Sequence, residues 1–349
     1  MTTPALTTWL YDDHGLDVVE LTRVHAGTDL AAEVWKVEAR VATDAAGPGG
    51  LHSYAVKWSG GGTGAGTSVG AELAGAGVSG VAGPVPTTAG GLWSTRDGRR
   101  LTVMPWVDGE RAGDVGLSDA EWTAYGVLLA QVHAVKPSDE LRQVLPPLNP
   151  VNARMPGLIR ELDERLTQQT PTDDVEAELA AVWQEHRDPI LSLLEPVDGP
   201  RGETVICHAD PHLGNVIAGD GVHLIDWDDA VLAPREQDLL FFLGGMGALG
   251  PTTDGQRDAF FAGYGEVELD PVNLRYYRNA RVQEEVGLWA EQVVTGPDRE
   301  DALGYLRDVL GPKGMLLRVT DPDVGLGVGA DAVGDGEGGE AGGDRVGAG

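Results

Sequence analysis

The stretch from Val205 to Asp229, VICHADPHLGNVIAGDGVHLIDWDD, sets three histidines, five aspartates and one asparagine among valine, isoleucine and leucine. Polar groups among β-branched residues are costly to bury unless each finds a partner, so the stretch reads as one that folds around an ion. His208, Asp210 and Asn215 follow the spacing H-x-D-x-x-x-x-N. In phosphoryl transfer that order has a purpose. The aspartate orients an attacking hydroxyl and takes its proton, the asparagine holds metal, and a later aspartate bridges metal to the phosphates. Asp226 supplies the later carboxylate. Gly219-Asp220-Gly221 contains the Asp-Gly pair favoured in two-residue hairpin loops, and a loop of Asp220 and Gly221 puts Asn215 directly opposite Asp226. Their oxygens would then converge on one hard cation such as Mg2+, with water and phosphate oxygens completing its shell.

These residues need a scaffold, and the chain changes texture around them. LDVVELTRV, EVWKVEARV, SYAVKWS and RLTVMPWV are short, partly alternating strand runs in the first hundred residues. Beyond Asp108-Gly109 helical spacing takes over: Ser118 and Glu121 form a capping-box pattern, followed by Trp122, Tyr125, Leu129 and Val132 on one face. Two further long helices are expected in DVEAELAAVWQEHRDPILSLLE and PVNLRYYRNARVQEEVGLWAEQVV, and a shorter one buries Leu303, Leu306, Val309 and Leu310. The expected fold is α+β and bilobal. A small β-rich lobe spans residues 1–104, a larger helical lobe spans 105–318, and the glycine-acid segment 319–349 is expected to be disordered. GGGTGAG, from Gly60 to Gly66, lacks a following Lys-Ser or Lys-Thr and reads as a flexible linker.

CHADPHLGN followed by LIDWDDAVLAPREQDLLFF resembles the aminoglycoside phosphotransferase family, within the protein-kinase-like fold. FFAGYGEVELDPVNLRYYR makes the chain most similar to the spectinomycin phosphotransferases in it. The resemblance implies ATP and Mg2+ as cofactors, with Asp210 as proton acceptor; His208, beside it in the catalytic group, reads as a structural histidine fixing the loop more than as a base. It implies that Lys57 pairs with the α- and β-phosphates and that Glu72 braces Lys57 from a helix. Gly27 and Thr28 would tip the strand-turn-strand that covers the phosphates. Met104, Trp106 and Val107 would offer backbone groups to adenine, although the same segment also reads as a plain interlobe strand. Asp238 reads locally as a helix N-cap, and the resemblance adds that it ties down the catalytic loop. His212 and His223 show no role and read as solvated.

A net charge of −30 argues against nucleic acid and anionic membranes as partners and favours a cationic small molecule. An acidic cleft of Asp228, Asp229, Glu284 and Glu285, with Trp289 stacking on a ring, would select a protonated amino sugar or aminocyclitol; Asp228 could equally touch metal. Cys207 is the single cysteine, which excludes intrachain disulfides and thiolate zinc sites and suits a buried strand thiol. With no apolar run of membrane-spanning length, a soluble cytoplasmic protein is expected. The sequence thus points to an ATP-dependent kinase of an aminoglycoside or aminocyclitol such as spectinomycin. Alternatives are a kinase of a metabolic alcohol (choline, homoserine or fructosamine), a nucleotide-binding pseudokinase scaffold, and a metal hydrolase built on His208, Asp210 and His212. Protein-kinase activity is disfavoured because Asp-Phe-Gly and Ala-Pro-Glu are both absent.

Overall fold

Alternating apolar residues build the first lobe. The computed structural model describes residues 3–24, 32–41, 50–60, 64–148, 150–243, 249–312 and 314–320. Within them a five-stranded antiparallel sheet has the order β1-β2-β3-β5-β4. Its strands are β1 (Leu16–Val24), β2 (Ala32–Val41), β3 (Leu51–Ser59), β4 (Ser94–Arg96) and β5 (Arg99–Pro105). One face buries Trp35, Val37, Val56 and Val103 against Leu6 and Leu10 of helix α1 (Thr3–His14), as period-two patterning requires. Lys57 sits on β3 opposite Val34 of β2 and Thr102 of β5. Gly27, Thr28 and the segment 319–349, apart from Val319 and Thr320, lie outside the described residues.

Helix α2 (Ala65–Gly75) follows β3. Of the stretch expected to be a linker, Gly64 is the N-cap of α2 and Gly66 lies in its first turn, so that end of it is ordered helix. Gly66 in its first turn lets the helix approach the other lobe closely.

The chain then crosses: the Trp106 amide donates to Ser53 O at 2.9 Å, and β6 (Gly109–Arg111) joins β8 (Val216–Gly219) and β9 (Gly221–Leu224) in a second sheet, ordered β6-β8-β9. Helix α3 (Ala112–Val115) leads to α4 (Asp119–Ala134), which starts at the expected capping box of Ser118 and Glu121. Then come α5 (Asp139–Val144), α6 (Pro150–Gln168), α7 (Asp174–Ser192) and β7 (Val205–Cys207), which pairs with β10 (Val231–Ala233). Helices α8 (Glu236–Leu239), α9 (Asp254–Tyr264), α10 (Pro271–Thr295), α11 (Arg299–Leu310) and α12 (Met315–Thr320) complete the lobe. Trp122, Tyr125, Phe242 and Phe260 form its aromatic core, with Phe242 and Phe260 stacked at 3.7 Å. A second core joins α6, α7, α10 and α11 and buries Leu303, Leu306, Val309 and Leu310 as expected. No helix among the described residues is long and apolar enough to cross a membrane.

The β8–β9 register corrects one expectation. Val216 faces Leu224 and Gly219 faces Gly221, so Asp220 alone forms the tip. Asn215 therefore lies level with Ile225, whose amide donates to Asn215 O at 2.9 Å, and not with Asp226. Gly221, at φ 104°, supplies the positive φ that lets the turn close one residue tighter.

Candidate active site

Strand β7 ends at buried Cys207, and the loop that follows is held from below by Asp238. Asp238 is fully buried and accepts from the His208 amide at 2.9 Å and the Ala209 amide at 2.7 Å. Ala209 has φ 70°, a left-handed conformation that a non-glycine residue keeps only when its surroundings enforce it. His133 contacts Asp238 at 3.0 Å through Nε2 and Tyr264 at 2.8 Å through Nδ1, so the tie is itself braced by α4 and α9. Asp238 lies inside α8 and not at its N-cap, which leaves the tie-down as its observed task.

His208 is also structural. Its buried ring uses Nε2 on Ile225 O at 2.9 Å and Nδ1 on the Asp210 amide at 3.3 Å. With both ring nitrogens spent on backbone, it has no group left for a reactant. Of the two roles considered for it, catalytic and loop-fixing, the structure shows the second: it pins the Asp210 loop to the segment before Asp226.

Asp210 Oδ2 takes Asn215 Nδ2 at 3.1 Å and His212 Nε2 at 3.2 Å. His212 Nδ1 accepts from the Gly214 amide at 2.9 Å, which leaves the proton on Nε2 facing the carboxylate. His212 is thus part of the site and not a solvated side chain. Asp210 Oδ1 is buried without an aligned hydrogen bond and lies 3.1 Å from Arg281 Nη1. Burial alone would raise the Asp210 carboxyl; the Arg281 charge and the His212 contact outweigh it and hold the group below the usual aspartate range.

At the other end Lys57 Nζ bridges Asp226 Oδ1 at 3.0 Å and Asp228 Oδ2 at 2.8 Å. Burial works to lower this ammonium, and the two carboxylates outweigh it and hold it above the ordinary lysine range. Asp226 adopts φ 63°, a second left-handed non-glycine residue, and this turn past the end of β9 presents its carboxylate to Lys57. Asp228 therefore belongs with Lys57 and not with the acidic cleft expected for the acceptor. Glu72 does not brace Lys57. Its carboxylate accepts from the Ser138 amide at 2.6 Å and from the Ser138 hydroxyl, at the start of α5, where unsatisfied amides favour a negative charge. Gly66 explains the closeness of α2 to this turn: a Cβ there would stand 2.3 Å from the Trp227 carbonyl oxygen. Of the residues expected to meet adenine, Trp106 spends its amide on Ser53 O and its ring on Lys36 at 4.9 Å, while Met104 lies within β5 opposite Ala55.

On α10, Arg281 stands among carboxylates: 2.6 Å from Glu285 Oε1, 3.6 Å from Glu284 Oε2 and 3.1 Å from Asp210. Burial pushes Glu284 up to about 7 against the opposing Arg281 charge, with Asp229 and Glu285 adding repulsion. Asp229, Glu284 and Glu285 thus gather near Asp210 around an arginine that was not among the expected site residues. The signal for it was present, since Arg281 precedes the two glutamates by three and four residues, one helical turn. Trp289 Nε1 donates to Glu285 Oε2 at 2.6 Å and its ring lies 4.7 Å from Tyr305. Both Glu285 oxygens are therefore engaged within the protein.

The donors suit a hard divalent cation. Asn215 makes both of its amide hydrogen bonds through Nδ2, which leaves Oδ1 to ligate, and the half-exposed Asp226 keeps Oδ2 beyond its Lys57 contact. The buried trio His133, Cys207 and Asp238 has a metal-like spacing, but its ligand atoms are engaged in hydrogen bonds to Tyr264, to backbone amides and to the Ala233 carbonyl.

The family described as APH, phosphotransferase enzyme family, matches residues 68–277, the segment that carries Asp210, Asn215 and Asp226. The chain belongs to this family. Such a phosphotransferase acts on hydroxyl groups, and its solved structural neighbours share the bilobal kinase-like fold. Spectinomycin phosphotransferase APH(9)-Ia, in complex with ADP and spectinomycin, aligns with a TM-score of 0.78 at 21% identity, covering 93% of this chain and 99% of that one. Its AMP-bound complex aligns with a TM-score of 0.74 at 21% identity, covering 90% and 97%. The GDP complex of aminoglycoside 2'-phosphotransferase-IIIa aligns with a TM-score of 0.53 at 15% identity, covering 88% and 98%. No curated protein sequence matches the phosphotransferase.

Proposed function

We propose that this phosphotransferase moves the γ-phosphoryl group of ATP to a hydroxyl of a cationic aminocyclitol or aminoglycoside, with spectinomycin the first acceptor to test. The observation that carries the acceptor class is the crowding of Asp229 and Glu284 beside Asp210 and Arg281. Carboxylates in a dry cleft bind protonated amines through charge-assisted hydrogen bonds. The likeness to a spectinomycin phosphotransferase solved with ADP and spectinomycin supports the same reading.

The nucleotide occupies the cleft between residues 1–104 and residues 105–318. Lys57 would serve the phosphates and the Val107 backbone is left to meet adenine, while Asn215 and Asp226, with Asp228 beside them, would hold Mg2+. When bound, Mg2+ supplies positive charge to the phosphate oxygens. Asp210 Oδ1 accepts the hydroxyl proton as the acceptor oxygen bonds to the γ-phosphorus and the bond to the ADP oxygen breaks. Asn215 and His212 hold Oδ2 meanwhile, so the carboxylate cannot swing. Glu284, with one longer contact to Arg281, is the carboxylate best placed to meet the acceptor's ammonium group.

Coupled ADP release across a panel of aminocyclitols, aminoglycosides and alcohols such as choline and homoserine tests this. The best acceptor should be a multiply charged aminocyclitol whose KM rises with salt while the ATP KM changes little. A neutral preferred acceptor, or an acceptor KM indifferent to ionic strength, contradicts the assignment.

A further inference from the structure

Behind Asp210 a line of contacts runs along α10 toward its C-terminal end. Trp289 Nε1 donates to Glu285 Oε2 at 2.6 Å, Glu285 Oε1 meets Arg281 Nη2 at 2.6 Å, and Arg281 Nη1 reaches Asp210 Oδ1 at 3.1 Å. Residues 281, 285 and 289 are spaced by four, so they share one helix face. The Arg281 guanidinium lies 5.4 Å from the centre of the Phe241 ring, which backs it on another side. Its side chain keeps only 14% of its surface.

We propose that Arg281 is a positioning residue for phosphoryl transfer, fixing the Asp210 carboxylate in its reactive orientation, and that Glu285 and Trp289 fix Arg281 in turn. The inference rests on Asp210 being the base. Its force comes from how the two carboxylate oxygens differ. Oδ2 is filled by Asn215 and His212, whereas Oδ1 has no aligned hydrogen bond among the described residues. A base needs one oxygen whose lone pair the protein leaves uncommitted and whose charge is nevertheless secured. An arginine at 3.1 Å that is not aligned to donate meets both needs: it attracts Oδ1 without occupying the lone pair. Guanidinium suits the task because it stays charged and its planar fork spans Glu285 and Asp210 at once, which a lysine ammonium does less rigidly.

The same geometry alters the acceptor site. Glu285, with one oxygen on Trp289 and one on Arg281, serves the base, and Glu284 is the carboxylate that faces the acceptor's charge.

The test uses the full chain with Mg-ATP and spectinomycin, or the panel acceptor with the highest turnover. Arg281→Met should lower kcat by about a hundredfold, the scale of misplacing a catalytic group by about 1 Å, with the ATP KM unchanged. Arg281→Lys should recover part of that loss, and Glu285→Gln should lower kcat in the same direction by less. A wild-type kcat in Arg281→Met, or a raised acceptor KM with kcat intact, overturns the inference, the second because Arg281 would then bind acceptor. If Arg281→Met does not fold, Glu285→Gln decides, and an unchanged kcat there overturns it. Turnover surviving in Asp210→Asn refutes Asp210 as the base and takes the inference with it, whereas loss in Asp210→Asn beside normal Arg281→Met refutes the inference alone.

Discussion

Gly66→Ala reverses the usual sign of a glycine-to-alanine change in a helix. On propensity alone alanine stabilises a helical position by about 1 kcal/mol. At Gly66 the new Cβ would stand 2.3 Å from the Trp227 carbonyl oxygen, 2.6 Å from the Trp227 carbonyl carbon and 3.0 Å from the Asp228 amide nitrogen. All three atoms are backbone, so no rotamer change relieves the clash. Either α2 or the turn holding Asp226 and Asp228 must move. Overpacking of this kind costs about 1–3 kcal/mol, and contacts this short belong at the upper end, leaving a net loss of about 2 kcal/mol after the propensity gain. Gly75, exposed at the end of the same helix with nothing within 4 Å of its Cβ position, is the matched control. Denaturant unfolding should show Gly75→Ala at or above wild-type stability and Gly66→Ala below it. Because the displaced turn carries both Lys57 partners, Gly66→Ala should also weaken Mg-ATP binding in calorimetric titration, and Gly75→Ala should not. Equal stability and equal nucleotide affinity in the two variants would refute the claimed contact between α2 and the metal-side turn.

Glu284, pushed up to about 7 from an ordinary 4.5, binds a proton in the folded state while it is already ionised in the unfolded chain. Its contribution is therefore present below about pH 4.5 and is lost as pH rises through about 7, a swing of up to about 3 kcal/mol. The melting temperature of Glu284→Gln should accordingly fall less than wild type between pH 5 and pH 8, and parallel pH profiles would contradict this. Asp226→Ala should lower nucleotide affinity in Mg2+ to the value wild type shows with chelator, whereas Asp210→Asn should leave it nearly intact; wild-type affinity in both variants would refute the division between a metal end and an acceptor end.

The elements of this fold were legible because their signals are local. Alternation over residues 16–24 and 33–41 marks strands, and Ser118 with Glu121 marks the start of α4. The spacing of His208, Asp210 and Asn215 is equally local, and the structure gathers all three around one loop after β7. What failed depended on one-residue geometry or on partners distant in sequence. The Asp220 tip closed one residue tighter than the two-residue loop expected, which took Asn215 out of direct register with Asp226, and a left-handed turn at Asp226 presents its carboxylate to Lys57. Glu72 chose Ser138 over Lys57 because α2 and α5 meet in space, and a separation of 66 positions along the chain hides that meeting. His212 reads as solvated in the sequence because its partners, the Asp210 carboxylate and the Gly214 amide, are set by the turn geometry of the loop and not by residue type. Arg281 was readable as a helical neighbour of Glu284 and Glu285, yet its approach to Asp210 crosses from α10 to the β7 loop.

The most direct test of Asp210-dependent phosphoryl transfer is product analysis by mass spectrometry after incubation of the full chain with Mg-ATP and spectinomycin. Wild type should yield acceptor heavier by one phosphoryl group, in step with ADP, and Asp210→Asn should yield none beyond background while still binding nucleotide. ADP without phosphorylated acceptor, or an Asp210→Asn protein that phosphorylates as fast as wild type, would contradict the account.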